Sequence, residues 1–73
     1  MAGWMKPVLS SMIEEVGWDD ETQEVLVKFL KGGKTGAYTG FDEGTALALS
    51  TALSAGGMFL DEIKPFAAGF RYV

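Results

Sequence analysis

The run Glu24-Val25-Leu26-Val27-Lys28-Phe29-Leu30-Lys31-Gly32-Gly33-Lys34-Thr35 decides the fold. Its first seven residues combine β-branched and aromatic side chains with strict alternation, so Val25, Val27 and Phe29 share one face and Leu26, Lys28 and Leu30 the other. The second face is only partly polar and invites a cover. The two glycines that follow supply the positive φ of a tight connection, which makes Lys31 to Lys34 a hairpin turn and returns the chain as a strand over Thr35 to Phe41. Gly36 and Gly40 in that strand predict a bulge or a close approach. Gly33-Lys34-Thr35 superficially suggests a phosphate loop. However, Lys28 stands where such a loop needs its first glycine, and a strand follows where it needs a helix.

Working back toward the start, Met12 to Trp18 reads as a strand in which Ile13 and Glu15 alternate against Met12, Glu14 and Val16, with Gly17 weakening its end. Asp19, Asp20, Glu21 and Thr22 form a polar turn before Glu24. Met1 to Pro7 reads as an N-terminal extension with a second methionine at Met5, and residues 8–73 as the single domain; the first four residues are given no fold role. Working forward, Asp42 is an N-cap, Glu43 complements the helix dipole, and a helix over Thr45 to Ser54 places Ala46, Leu49 and Leu53 on one stripe. Ala55-Gly56-Gly57 is expected to end it in a left-handed cap, and a second helix over Met58 to Lys64 to stop at Pro65. Phe70 to Val73 alternates like a short edge strand. The expected fold is therefore α+β: a three-stranded antiparallel meander, two helices on one face, and a short C-terminal extended segment.

Composition narrows the chemistry. Of 73 residues, 48 % are hydrophobic before ten glycines are added, against about 45–50 % for an average chain with glycine included. A domain this short hides only about 60 % of the surface of its unfolded chain, so apolar surface should be left for a partner. Cysteine and histidine are absent, which removes disulfides, thiol and imidazole catalysis and the usual zinc ligand sets. The carboxylates Asp19, Asp20, Glu21 and Glu24 lack the spacing of a calcium loop, and the neighbours Asp61 and Glu62 point about 100° apart on a helix. No cofactor or metal is expected, no membrane span, and no enzyme. A cytoplasmic protein is the expectation.

The run Ser10-Ser11-Met12-Ile13-Glu14-Glu15-Val16-Gly17-Trp18-Asp19 resembles the opening of KTSC domains, which typically reads S-S-x-I-x-x-V-G-Y-D. The likeness continues through the strand ending in Phe29, the Gly32-Gly33 turn, an acid-initiated helix, the Gly57-Met58-Phe59 step and Arg71. KTSC domains occur at the C-terminus of some lysyl-tRNA synthetases and as small stand-alone bacterial and phage proteins, and RNA binding is the role suggested for them. The resemblance implies a bacterial or phage setting and, for a stand-alone member, a regulator or inhibitor of a host protein. This chain departs from the pattern in its third strand, where Gly36-Ala37-Tyr38 keeps one tyrosine of a Tyr-x-Tyr motif, and in having Asp42 where a proline commonly begins the helix.

Three functional readings compete. The preferred one is a non-catalytic interaction module that self-associates or binds a protein through an apolar face, with Trp4, Trp18, Phe70 and Tyr72 as contact residues because large aromatics concentrate binding energy. The alternative is RNA binding through Lys31, Lys34, Tyr38 and Arg71. A net charge of -4 opposes long-range attraction to RNA. The third, a small carboxylate enzyme, lacks a nucleophile and base at workable spacing. The expected partners are a second copy or another protein, with RNA disfavoured by charge.

Overall fold

The computed structural model describes residues 3–73. Five strands form one antiparallel sheet in chain order: β1 (Gly3–Pro7), β2 (Ile13–Asp19), β3 (Glu24–Phe29), β4 (Thr35–Thr39) and β5 (Gly69–Tyr72). Between β4 and β5 run α1 (Glu43–Ser50), α2 (Ala55–Met58), a π-helical stretch over Phe59–Ile63 that continues α2, and a 3-10 turn over Lys64–Phe66. Among the described residues no helix is long and apolar enough to cross a membrane. The α+β class and the central meander are as expected. The sheet, however, has five strands rather than three, because the N-terminal segment and the tail both join it.

The central hairpin forms as its residues dictate. Val25 and Val27 are fully buried, and Gly32 and Gly33 carry φ of 83° and 63°, the left-handed values that a side chain disfavours. Strand β2 departs from simple alternation. A bulge between Ile13 and Glu15 shifts its register against β3, so Ile13, Val16 and Trp18 all reach the same buried face instead of Ile13 opposing Val16. A bulge of one residue changes the parity of a strand, which alternation counted along the chain does not contain.

Residues Gly3 to Pro7, expected to lie outside the domain, pair with β2 from Gly3 opposite Asp19 to Pro7 opposite Glu15. Met1 and Ala2 of that extension lie outside the described residues. Gly17 makes the pairing possible: a Cβ there would run into the Trp4 carbonyl and the Met5 sulphur. Trp4 then packs on the core and its indole Nε1 donates to Glu43 Oε2 at 2.9 Å. The first strand is thus tied to the start of α1.

The helical layer also differs from expectation. Asp42 caps α1 as expected, its Oδ1 accepting from Thr45 N at 3.0 Å. The helix ends at Ser50, where the Ser50 and Thr51 hydroxyls donate to the Leu47 carbonyl at 2.7 and 3.2 Å. Such back-bonding competes with continued helix. Leu53 consequently leaves the apolar stripe and is fully exposed. The Gly56-Gly57 pair does not terminate a helix: Ser54 accepts from Gly57 N at 3.1 Å and starts α2. Pro65 lies inside the closing 3-10 turn rather than after the last helical residue. Ala46 and Leu49 from α1, with Ala55, Phe59 and Ile63, complete the core over β2 and β3.

Overpacking at a close backbone approach costs about 1–3 kcal/mol, whereas a left-handed glycine in open space costs about 1 kcal/mol when replaced. We therefore expect Gly17→Ala to lower the melting temperature well below that of Gly32→Ala, which meets nothing within 4 Å. Equal melting of the two variants would mean that the β1–β2 approach is not tight.

Candidate functional site

Antiparallel pairing assigns every strand residue to one of two faces. Tyr38 lies opposite Val25 and Phe70, and Gly36 opposite Val27 and Tyr72, so all of these share the helix-side face. Helices cover that face over β2 and β3 and stop short of β5. At the margin they leave a row of rings. Phe59 meets Phe29 edge-on at 5.5 Å and Tyr38 edge-on at 5.2 Å; Tyr38 lies 4.9 Å from Phe70, and Phe70 is 4.9 Å from Tyr72. Edge-on and tilted arrangements suit the aromatic quadrupole, so the row packs well as well as being apolar. Gly36 permits it, since a Cβ there would stand 2.8 Å from the Phe70 ring.

These rings line a cleft of about 470 Å³, with Leu60, Lys64 and Ala67 forming the opposite wall. The volume falls within the range of small-ligand and side-chain pockets. Lys34 stands 5.1 Å over the Tyr72 ring, a cation–π geometry that fixes a positive charge at the rim. Phe70 is 50 % and Tyr72 58 % exposed, whereas Tyr38 is 6 % exposed. The outer two rings are therefore available to a ligand and the inner one belongs to the wall. Burial, with a smaller contribution from Tyr72, pushes the Tyr38 phenol above its ordinary pKa. It stays neutral.

The residues singled out from the sequence are sorted by this geometry. Phe70, Tyr72, Lys34 and Tyr38 come together at the cleft. Lys31 is exposed in the adjacent turn. Arg71 does not join them, because it pairs with Ala37 on the opposite face. There it forms a two-pronged ion pair with Glu24, Nε to Oε2 at 3.1 Å and Nη2 to Oε1 at 2.7 Å. Trp18 is 2 % exposed in the core, and Trp4 packs on that core beside it. Sequence reading placed Phe59 and Lys64 only as members of a helix. The signal for Phe59 was its place in the Gly57-Met58-Phe59 step; for Lys64 none existed, since its role depends on where the helix lands.

The acidic turn is internally bonded. Asp19 Oδ1 accepts from the Glu21 and Thr22 amides at 3.0 and 3.3 Å, and Gln23 Nε2 donates to the Asp20 carbonyl at 3.0 Å. Gln23 itself adopts φ of 60°. Among the described residues no cluster of three or more acidic groups is arranged to hold a metal ion.

Comparison with known proteins adds the following. The KTSC domain family model matches residues 9–66. The crystal structure of the KTSC domain protein YPO2434 from Yersinia pestis superposes with a TM-score of 0.83 at 29 % identity, over 99 % of this chain and 99 % of that one. No curated protein matches. The superposition runs beyond the span of the family model at both ends.

The Glu24–Arg71 pair makes a pH-dependent contribution. Hydrogen bonds from Arg71 hold the Glu24 carboxyl below its ordinary value of 4.5, against the burial that raises it. A carboxyl with a lowered folded-state pKa contributes stability above its unfolded value and loses it as pH falls through the folded one. Glu24→Gln should therefore melt lower than the parent at neutral pH, with the difference closing as pH falls from the ordinary glutamate value through the lowered folded-state one. Thermal melts across that range test this; a difference that persists unchanged into acid would contradict it.

Proposed function

The chain belongs to the KTSC domain family, and we propose that this member is a non-catalytic module that binds a protein through the apolar face beside β5. The observation that carries this reading is the continuity of exposed apolar surface there. The aromatic cleft shares Met12 and Leu60 with a second hollow of about 390 Å³ that also includes Leu9, Leu53 and Gly56. Leu9 and Leu53 are fully exposed and Leu60 about half. Scattered surface leucines are ordinary, whereas adjoining hollows rimmed by large apolar residues suit a macromolecular contact.

The RNA reading has less support. Only Lys34 of the candidate cations stands over an aromatic ring of the cleft, Arg71 is committed to Glu24 on the far face, and the Tyr38 ring is packed between Phe59 and Phe70. Stacking of a base needs an open ring face. A regulatory role toward a host protein, which the resemblance to stand-alone members implies, would operate by occupying that protein's surface.

The test is site-specific photo-crosslinking in the cells that express the protein. A photo-reactive residue in place of Leu60 should give a discrete protein adduct, and one in place of Leu47, exposed on α1, should not. Adducts of equal yield at both positions, or none at position 60, would overturn the reading. An adduct at position 60 of twice the chain's mass identifies the partner as a second copy.

A further inference from the structure

The two edges of the sheet are not equivalent. On β1, the Val8 amide donates to the Glu14 carbonyl at 3.1 Å, and Pro7 lies opposite Glu15. Hydrogen bonds alternate along an antiparallel pair, so the main-chain groups of Lys6 and Trp4 also turn inward, and those of Gly3, Met5 and Pro7 turn to the open edge. Proline has no N–H to offer there, and a lysine precedes it. Both are devices that blunt an edge against strand addition.

On β5 the same bookkeeping gives the opposite result. The Val73 amide donates to the Thr35 carbonyl at 2.9 Å, which continues the register Gly36–Tyr72 and Ala37–Arg71. Residues 69, 71 and 73 therefore bond to β4, and the N–H and C=O groups of Phe70 and Tyr72 point to the open edge. No proline interrupts it, and among the described residues no further strand lies beyond it. The side chains of the same two residues border the aromatic cleft. Lys64 lines that cleft and Lys34 stands over the Tyr72 ring at its rim, so both charges beside it are positive.

We propose that β5 accepts an extended acidic segment of a partner protein as a sixth strand, with a large apolar side chain seated in the cleft and the carboxylates two residues before and after it, which share its face, meeting Lys34 and Lys64. Main-chain pairing supplies affinity in such additions and alternate side chains supply selectivity. A second copy fits less well, because antiparallel self-pairing through Phe70 and Tyr72 sets Arg71 opposite its own equivalent and brings like-charged rims together. The inference rests on the interaction reading above and narrows its partner.

The probe is the capped peptide Ac-Gly-Glu-Thr-Phe-Thr-Glu-Gly-NH2, whose phenylalanine and glutamates share one face of a strand, compared with the same peptide carrying lysine for each glutamate and followed by amide NMR and hydrogen exchange. The acidic peptide should shift and protect the Phe70 and Tyr72 amides and bind about tenfold or more tightly than the basic one, a preference that Lys34→Glu with Lys64→Glu abolishes. Both substitutions lie at exposed positions, and the variant's unchanged amide spectrum elsewhere verifies its fold. Absence of shifts at about 1 mM peptide, or equal binding of the two peptides, overturns the proposal. Phe70 and Tyr72 amides that become protected with rising protein concentration alone also overturn it, by assigning the edge to a second copy. Crosslinking at position 60 surviving such a failure leaves the broader interaction reading intact; loss of both removes it.

Discussion

The Phe59 ring couples the helical layer to the sheet. Its edge-on contacts with Phe29 on β3 and Tyr38 on β4 reach strands that α1 does not fully cover. The π-helical winding over Phe59–Ile63 serves this contact. Both end residues are buried, and the wider turn of a π stretch brings residues four apart nearer to one line than an α-helix does. The cleft follows from the same anchoring, because Leu60 and Lys64 are held opposite the β5 rings by the residues on either side of them.

The two faces of the sheet show how a small, apolar-rich chain disposes of its surplus. Among the described residues the face away from the helices has no second layer, yet Gly17 and Ala37 are buried on it. Met5 lies over Gly17, and the Glu24–Arg71 pair spans Ala37. The buried occupants are small and lie beneath neighbouring side chains, Met5 among them at 37 % exposed. On the helix side the chain instead uses Tyr38 and Phe59, which are buried, and Phe70 and Tyr72, which the short helical segments leave about half exposed. The exposed rings of Phe70 and Tyr72 thus lie together at one margin of one face.

What the sequence revealed and what it concealed divide along a physical line. The β3–β4 hairpin, the Asp42 cap and the Phe70 strand were legible because each is specified by residues adjacent in the chain. The first strand was not, since Gly3 to Pro7 has little pattern of its own and is held by the missing side chain of Gly17 on its neighbour. The β2 bulge changes parity without changing composition. The Gly56-Gly57 pair reads locally as a helix end, yet Gly56 lies where a Cβ would come 3.2 Å from Ser10 Oγ, so tertiary crowding rather than a turn accounts for it. For the site, residue types were visible but parity was not: Arg71 and Tyr72 are adjacent in sequence and lie on opposite faces of the sheet.

That parity also bears on how charge and surface cooperate. Arg71 on the far face neutralises a carboxylate that would otherwise be buried alone, a stabilising arrangement because an unpaired buried charge is costly. Its neighbours Phe70 and Tyr72 are left with about half their surface in water, held only by the ring row and, for Tyr72, by Lys34 above it. A single four-residue strand therefore performs two separable tasks, closing the sheet with one side chain and presenting an open rim with the two beside it. A change at Phe70 or Tyr72 can thus alter the rim while the ion pair and the β4 hydrogen bonds still hold the strand in register.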